Sequence, residues 1–191
     1  SLCFGKHVYP DSVYTEGITK ITLDDVAYVN AYGGVIKLLG RAKRMENGKI
    51  FAVVTPAIVM QGSQLASVND VFNAILVRGD ATGDVVFYGK GAGKLPSASA
   101  VVADVIDCAR NMGRKKPIGW GEAEENYVVD YKTAENPLYI RAAVEDYEKA
   151  LSEITEKVGN VKVLAFEGCK KTEIAFVTEC GKESELCEKL D

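Results

Sequence analysis

Histidine is almost absent from this chain: His7 is the only one among 191 residues. A zinc site built from clustered cysteine and histidine therefore has too few ligands to draw on. The five cysteines, Cys3, Cys108, Cys169, Cys180 and Cys187, are odd in number and contain no CxxC spacing. A disulfide framework normally needs an even set in a secreted chain. Reduced, mostly buried thiols in a cytoplasmic protein are expected instead. No apolar run approaches the roughly 20 residues that cross a bilayer, so no membrane partner is expected. The opening residues Ser1-Leu2-Cys3-Phe4-Gly5-Lys6-His7 lack a basic segment followed by an apolar core, so no signal peptide is visible. Positive charge is not in excess either. Lysine and arginine number 23 against 27 acidic residues, a net charge of −4 with a pI near 5.2. That excludes a general nucleic-acid binder, which needs a basic face. What the chain does have is 47% hydrophobic and 26% charged residues, the balance of a folded protein with one ordinary domain or two small ones.

A boundary is expected near Arg114-Lys115-Lys116-Pro117-Ile118-Gly119-Trp120-Gly121-Glu122, which is basic, then Pro/Gly-rich, then acidic. Before it, Gly17 to Ile21 reads as a short extended segment. Thr22-Leu23-Asp24-Asp25 has the hydroxyl and carboxylate spacing of a capping box, predicting a helix to about Ala31 that stops at Gly33-Gly34. Val35 to Arg44 and Ile50 to Val59 predict a hairpin, with Pro56 bending its second arm or lying on an edge. A second hairpin is predicted from Phe72 to Val77 and Asp84 to Tyr88. Ser97 is expected to cap a helix with an apolar stripe at Ala98, Val101, Val102, Val105, Ala109 and Met112.

After the boundary, Leu138, Ile140, Ala142 and Val144 alternate as in a strand with one buried face. Leu151, Ile154 and Val158 mark a helix ending at Gly159-Asn160. Val161 to Phe166 and Ile174 to Thr178 predict two strands, and Leu186, Cys187 and Leu190 a final helix. The order β-α-β-β-α is one strand short of a ferredoxin-like unit, and the sequence ends at Asp191, where the fourth strand is expected to begin.

Chemistry is concentrated at Gly89-Lys90-Gly91-Ala92-Gly93-Lys94-Leu95-Pro96. Alternate glycines allow close backbone approach to a ligand, and a helix N-terminus follows. The run is neither a Walker A loop, since Leu95 follows Lys94, nor GxGxxG, since Lys94 follows Gly93. Spacing alone leaves two readings open: a ligand-facing turn, or a tight strand-to-helix connection. Elsewhere the plain explanations dominate. His7 has no serine or cysteine nucleophile signalled near it, and is read as a surface or partly buried residue. Asp11, Glu16, Asp24 and Asp25 lack cation-loop spacing and read as solvated loop and cap carboxylates. Lys37, Arg41, Lys43 and Arg44 suit a half-exposed strand as well as a phosphate site. Trp120 is a docking anchor or a partly buried hinge residue. No complete nucleophile–base or acid–base set is present.

Several runs together carry a resemblance that spacing does not. They are Val13-Tyr14-Thr15-Glu16-Gly17-Ile18, Ile36-Lys37-Leu38-Leu39-Gly40, Phe72-Asn73-Ala74-Ile75, Gly79-Asp80-Ala81-Thr82-Gly83, Phe87-Tyr88-Gly89-Lys90-Gly91-Ala92-Gly93 and Pro96-Ser97-Ala98-Ser99-Ala100-Val101-Val102-Ala103-Asp104. Over about Phe4 to Met112 the sequence resembles the C-terminal part of homoserine dehydrogenase. The remainder resembles an ACT domain, a regulatory module fused to bacterial members of that family.

The resemblance implies an α+β fold: a mixed sheet of the homoserine dehydrogenase substrate and dimerisation domain, then a ferredoxin-like βαββα(β) ACT-type domain. The implied divisions are 1–116, a linker over 117–130, and 131–191. The implied parent activity interconverts L-aspartate 4-semialdehyde and L-homoserine with NADP or NAD, in a cytoplasmic homodimer, on the route to threonine and methionine. Gly93, with Gly91 beside it, matches the family glycine near the nicotinamide end of the cofactor. The family's GxGxxG domain and its catalytic lysine segment have no counterpart in this sequence. No catalytic residue or metal ligand is therefore assigned here, and the fragment is expected to be inactive alone with no cofactor bound. Ser63-Gln64-Leu65 departs from the family's His-Pro-Leu. Asp146-Tyr147-Glu148-Lys149-Ala150-Leu151 departs from the ACT pattern D-x-P-G-x-L, which puts an amino-acid effector such as threonine in question. A stand-alone ACT-type amino-acid-binding regulatory or interaction protein is the alternative.

Overall fold

A computed structural model describes residues 1–115 and 117–190. Lys116, the last residue of the first expected division, and Asp191 lie outside the described residues. The elements run β1 (Tyr14–Thr15), α1 (Leu23–Ala31), β2 (Gly34–Arg44), β3 (Ile50–Met60), β4 (Phe72–Gly79), β5 (Gly83–Lys90), α2 (Lys94–Arg110), β6 (Glu135–Asn136), β7 (Tyr139–Ala143), α3 (Tyr147–Val158), β8 (Val161–Leu164), β9 (Glu173–Thr178), β10 (Gly181–Lys182) and α4 (Glu183–Leu190). This is a mixed α+β chain of several small sheets. Packing divides it into two compact units, 1–60 with 121–191, and 61–120.

The first unit begins with a three-stranded sheet in the order β1-β3-β2. Local signals build it. Gly48 takes φ +79° in the turn joining β2 to β3, and the two strands pair from Gly34 with Met60 to Arg44 with Ile50. Pro56 neither breaks nor bends β3 out of register. It sits opposite Leu38, two residues beyond the last partner of β1, so its missing N–H falls where that side of β3 is an edge. The extended segment expected at Gly17–Ile21 lies earlier, at Tyr14–Thr15. Residues 18–20 form a turn closed by the Ile21 N–H to the Ile18 carbonyl at 3.1 Å.

The same unit holds a second three-stranded sheet, ordered β7-β9-β8, and a two-stranded pair of β10 with β6, all antiparallel. Paired residues share a face. Tyr139, Arg141, Ala175, Val177 and Leu164 therefore lie on one face, and α1 covers it through Tyr28. α3 packs on the same sheet and against α4. The alternation at Leu138 to Val144 was expected to bury one face only. On that face Leu138, Ile140 and Val144 are half-buried and Ala142 is exposed, whereas Tyr139 and Arg141 on the opposite face are half-buried because α1 packs there. Within 117–130, Tyr127 is buried beside Ile50 and Ala52, and Val128 bridges to Ile50.

The second unit holds the β4–β5 hairpin, paired from Phe72 with Lys90 to Gly79 with Gly83, and then α2. The helix starts three residues before the expected Ser97 cap. Gly93 is its N-cap, and Pro96 fits the first turn, where a missing N–H is no loss. No residue of α2 is buried. Cys108 on α2 and Cys187 on α4 are exposed, as are Cys3 and Cys180, and only Cys169 is half-buried. The expectation of mostly buried thiols is corrected accordingly: Cys187 follows the buried Leu186 on α4 but is itself on the exposed side of that helix, and Cys108 stands on α2, none of whose residues is buried.

Candidate functional site

The Gly91–Gly93 turn is built by the strand before it and the helix after it. The Gly91 N–H donates to the Val71 carbonyl at 3.2 Å, extending the β4–β5 pairing by one step. A Cβ at Gly91 would stand 2.0 Å from Asn73 Nδ2, so the position is closed to larger residues unless Asn73 moves. Gly93 adopts φ 124° and ψ 153°, a region open essentially to glycine alone. Its carbonyl accepts from the Ser97 N–H at 3.0 Å as α2 begins. The turn offers exposed backbone next to a helix N-terminus, which suits close approach by an anionic or planar group.

The other sequence candidates each have their own neighbours. His7 meets the Tyr9 ring edge-on at 4.5 Å. Asp11 is exposed and Glu16 lies 3.9 Å from Lys20. Asp24 pairs with Lys170 at 3.1 Å. Arg41 lies over Phe51 and donates to Asn136 Oδ1 at 3.3 Å, and Arg44 lies over Phe4. Lys37 and Lys43 take their places in the β2–β3 register opposite Ala57 and Phe51. Trp120 is half-buried. Ser63 turns back locally, accepting from the Leu65 N–H at 3.3 Å. No group of three or more His, Cys, Asp or Glu is placed to hold a metal ion among the described residues.

A second polar centre was not legible as a unit in the sequence. Asp25 is a cap carboxylate as expected, with both halves of the capping box formed. It is also the anchor of a cluster on the α1-facing side of β7 and β9. Arg141 donates to Asp25 Oδ1 at 2.7 Å, to Glu173 Oε2 at 2.9 Å and to Thr22 Oγ1 at 2.9 Å. The Tyr139 hydroxyl donates to Asp25 at 2.9 Å and the Tyr28 hydroxyl to Glu173 at 3.2 Å. Burial alone pushes the Asp25 carboxyl up. Hydrogen bonds from Arg141, Thr22 and Tyr139 outweigh it and hold the group well below the usual carboxylate range. Burial and the neighbouring carboxylates push the Tyr28 and Tyr139 hydroxyls up, so both stay protonated donors. The sequence signal was a lone arginine in an otherwise apolar strand.

The family model for homoserine dehydrogenase matches residues 1–106. The chain belongs to the homoserine dehydrogenase family. The curated homoserine dehydrogenase of Mycobacterium tuberculosis strain H37Rv is 34% identical over an alignment of 209 residues, covering 100% of this chain and 47% of its own length. That of Pseudomonas aeruginosa is 36% identical over 161 residues, covering 81% and 37%. Among solved structures, a homoserine dehydrogenase from Thiobacillus denitrificans superposes with a TM-score of 0.78 at 31% identity, over 94% of this chain and 43% of that one. One from S. aureus, at pH 6.0, gives 0.69 at 31% identity. The chain spans about half the length of the homoserine dehydrogenases it matches. The likeness runs through both compact units.

Proposed function

We propose that this chain is the C-terminal scaffold and regulatory part of a homoserine dehydrogenase, a cytoplasmic homodimeric enzyme that interconverts L-aspartate 4-semialdehyde and L-homoserine with NADP or NAD on the route to threonine and methionine. The observation that carries this reading is the match to homoserine dehydrogenases across the whole chain at 34% identity. A stand-alone ACT-type sensor is not favoured, because the matched family model lies over residues 1–106, outside the ACT-like stretch.

In this reading, 1–116 contributes the substrate and dimerisation domain, 117–130 a linker and 131–191 an ACT-like regulatory domain. The order β7-β9-β8 with α3 crossing between β7 and β8 supports the last assignment. The nicotinamide cofactor supplies the hydride when bound. Gly93 and Gly91 fit its approach: a Cβ at Gly93 would meet only Pro96 within 4 Å, so the backbone there is otherwise open. The phosphate-cradling G-x-G-x-x-G loop is not in these 191 residues, nor is a complete acid–base set. This chain alone is therefore inactive and holds no cofactor firmly. An amino-acid effector is the partner class that the ACT-like reading gives, and Glu148 and Lys149 at the first turn of α3 weigh against threonine. No helix among the described residues is long and apolar enough to cross a membrane, and the five free thiols suit a reducing compartment.

The test is a fusion. The N-terminal segment of the Pseudomonas aeruginosa homoserine dehydrogenase that precedes the matched region is joined to this chain. The fusion is expected to reduce NADP or NAD in the presence of homoserine, and the chain alone is not. A folded fusion without turnover, or turnover by the chain alone, overturns the reading.

A further inference from the structure

One carboxylate in this chain serves two structures at once. Asp25 Oδ2 closes the box at the start of α1, accepting from the Thr22 backbone N–H at 2.8 Å and from its hydroxyl at 2.7 Å. Asp25 Oδ1 holds β7, accepting from Tyr139 at 2.9 Å and from Arg141 Nε at 2.7 Å. Arg141 reaches the cap as well, donating from Nη2 to Thr22 Oγ1 at 2.9 Å. The first turn of α1 and strand β7 thus share their acceptors, and a shift in one breaks bonds in the other.

The residues three and four places on, which flank Asp25 on the helix surface, are just as closely held. Tyr28 and Val29 are 1% and 0% exposed, and neighbours on a helix point about 100° apart. Tyr28 enters the cluster with Leu164 and Ala175 on β8 and β9. Val29 faces the β2–β3 hairpin. A Cβ at Gly34 would stand 3.3 Å from Val29 and 2.8 Å from Ile58, so only glycine lets the helix pack down on the strands there. α1 is a wedge between two sheets.

We infer that α1 is a coupling lever through which the β7-β9-β8 sheet sets the start of the β2–β3 hairpin, with Asp25, Arg141 and Thr22 as its latch. Withdrawal of β7 removes Arg141 and Tyr139 from Asp25, opens the cap, frays the first turn of α1 and releases the Val29 contact at Gly34. The coupling is a property of this chain alone. Its use as regulation rests on the reading of 131–191 as a regulatory domain.

Hydrogen exchange on the 191-residue chain tests the lever. Arg141→Met is expected to speed exchange roughly tenfold over residues 22–31 and at the start of β2, leaving the β4–β5 hairpin unchanged. Tyr139→Phe keeps the ring and removes one hydrogen bond, and is expected to speed exchange several-fold over 22–26. Thr22→Ala is expected to act in reverse, loosening residues 139–141 as well as its own helix. That reverse effect separates a lever from a local cap. Changes confined to the substituted element in Tyr139→Phe and Thr22→Ala overturn the proposal, and these two variants decide it if Arg141→Met does not fold. A fusion without dehydrogenase activity leaves these readouts untouched, so the two ideas fail separately.

Discussion

Arg141 Nε lies 2.7 Å from Asp25 Oδ1, across 116 residues of chain. The same guanidinium stands 2.9 Å from Glu173 and 3.9 Å from Asp24. Three carboxylates surround one arginine, with Lys170 on Asp24 as the second cation. The Asp25 residue is 6% exposed and the Arg141 side chain 23%. Such a pair adds little over a well-packed apolar pair, but losing one partner strands a buried charge.

Arg141→Met is accordingly expected to lower stability by about 3 kcal/mol, the low end for a broken buried pair because part of Arg141 is exposed. For a chain of this size that corresponds to a fall in Tm of about 6–12 °C. Thermal unfolding followed by circular dichroism measures it. A change within about 0.5 kcal/mol, the range of an ordinary surface substitution, is the result that contradicts the buried-charge account.

The pH dependence of the same variant has a definite sign. In the wild type, the Asp25 carboxyl is held below its ordinary 3.8. Its contribution is complete above that value and is lost as pH falls through the lower, folded value. The groups facing it are Arg141 and Tyr139 from β7, Glu173 from β9, Tyr28 and Asp24 from α1, and Lys170. Without Arg141, burial and the two neighbouring carboxylates favour the neutral acid, and the folded value rises above the unfolded one. The stability lost in Arg141→Met is therefore expected to shrink as pH is lowered from 7 towards 4. Tm profiles of the two proteins check this, and parallel profiles contradict it.

Much of the fold is legible where its causes are local. The capping box at Thr22 and Asp25, the Gly48 turn and the Gly159 stop are each written within a few residues. The start of α2 is less legible, because serine is the commoner cap and points to Ser97, whereas Gly93 with Pro96 behind it is the actual start. The Asp25–Arg141 cluster was not legible, since its members stand on α1, β7 and β9 and only folding joins them. Arg141 occupied a position that alternation assigned to solvent. A second covered face on a strand leaves no periodic signature when its contacts are an arginine and a tyrosine. The Gly91–Gly93 turn stood out in the sequence, and its geometry explains both glycines sterically.

Gly93→Ala tests that turn. A φ of 124° with ψ 153° excludes a Cβ, so a loss of about 1–3 kcal/mol is expected. Gly89→Ala, in β5, meets nothing within 4 Å and serves as the control. In the fusion enzyme, Gly93→Ala is expected to raise the KM for the nicotinamide cofactor more than it lowers kcat. Chemical denaturation and steady-state kinetics separate the two effects. Equal tolerance of both substitutions refutes the strain argument.

The β4–β5 hairpin carries Ile75, Val77, Val85 and Phe87 on one face by register, 65%, 44%, 38% and 61% exposed. Apolar exposure of this kind marks an interaction surface. Light scattering is expected to give twice the 20.6 kDa chain mass, and Phe87→Asp to shift it towards the single chain. A monomer at all concentrations removes the homodimer from the proposed function.

The effector question turns on α3. Asp146 is its N-cap, accepting from the Lys149 N–H at 3.1 Å. The Lys149 side chain is exposed and runs along the helix, 3.8 Å from Glu153. In the ACT pattern these first-turn positions are proline and glycine, which leave the backbone bare for an amino acid. With Glu148 and Lys149 present, titration of the chain with threonine is expected to give no saturable heat. Glu148→Pro with Lys149→Gly restores the bare turn. Proline is tolerated at that point of a helix, whereas a glycine in the helix lowers stability by about 1 kcal/mol. Binding of threonine by the double variant but not by the wild type supports side-chain obstruction as the cause. Saturable heat in the wild type shows that the lysine, lying along the helix, leaves the site open.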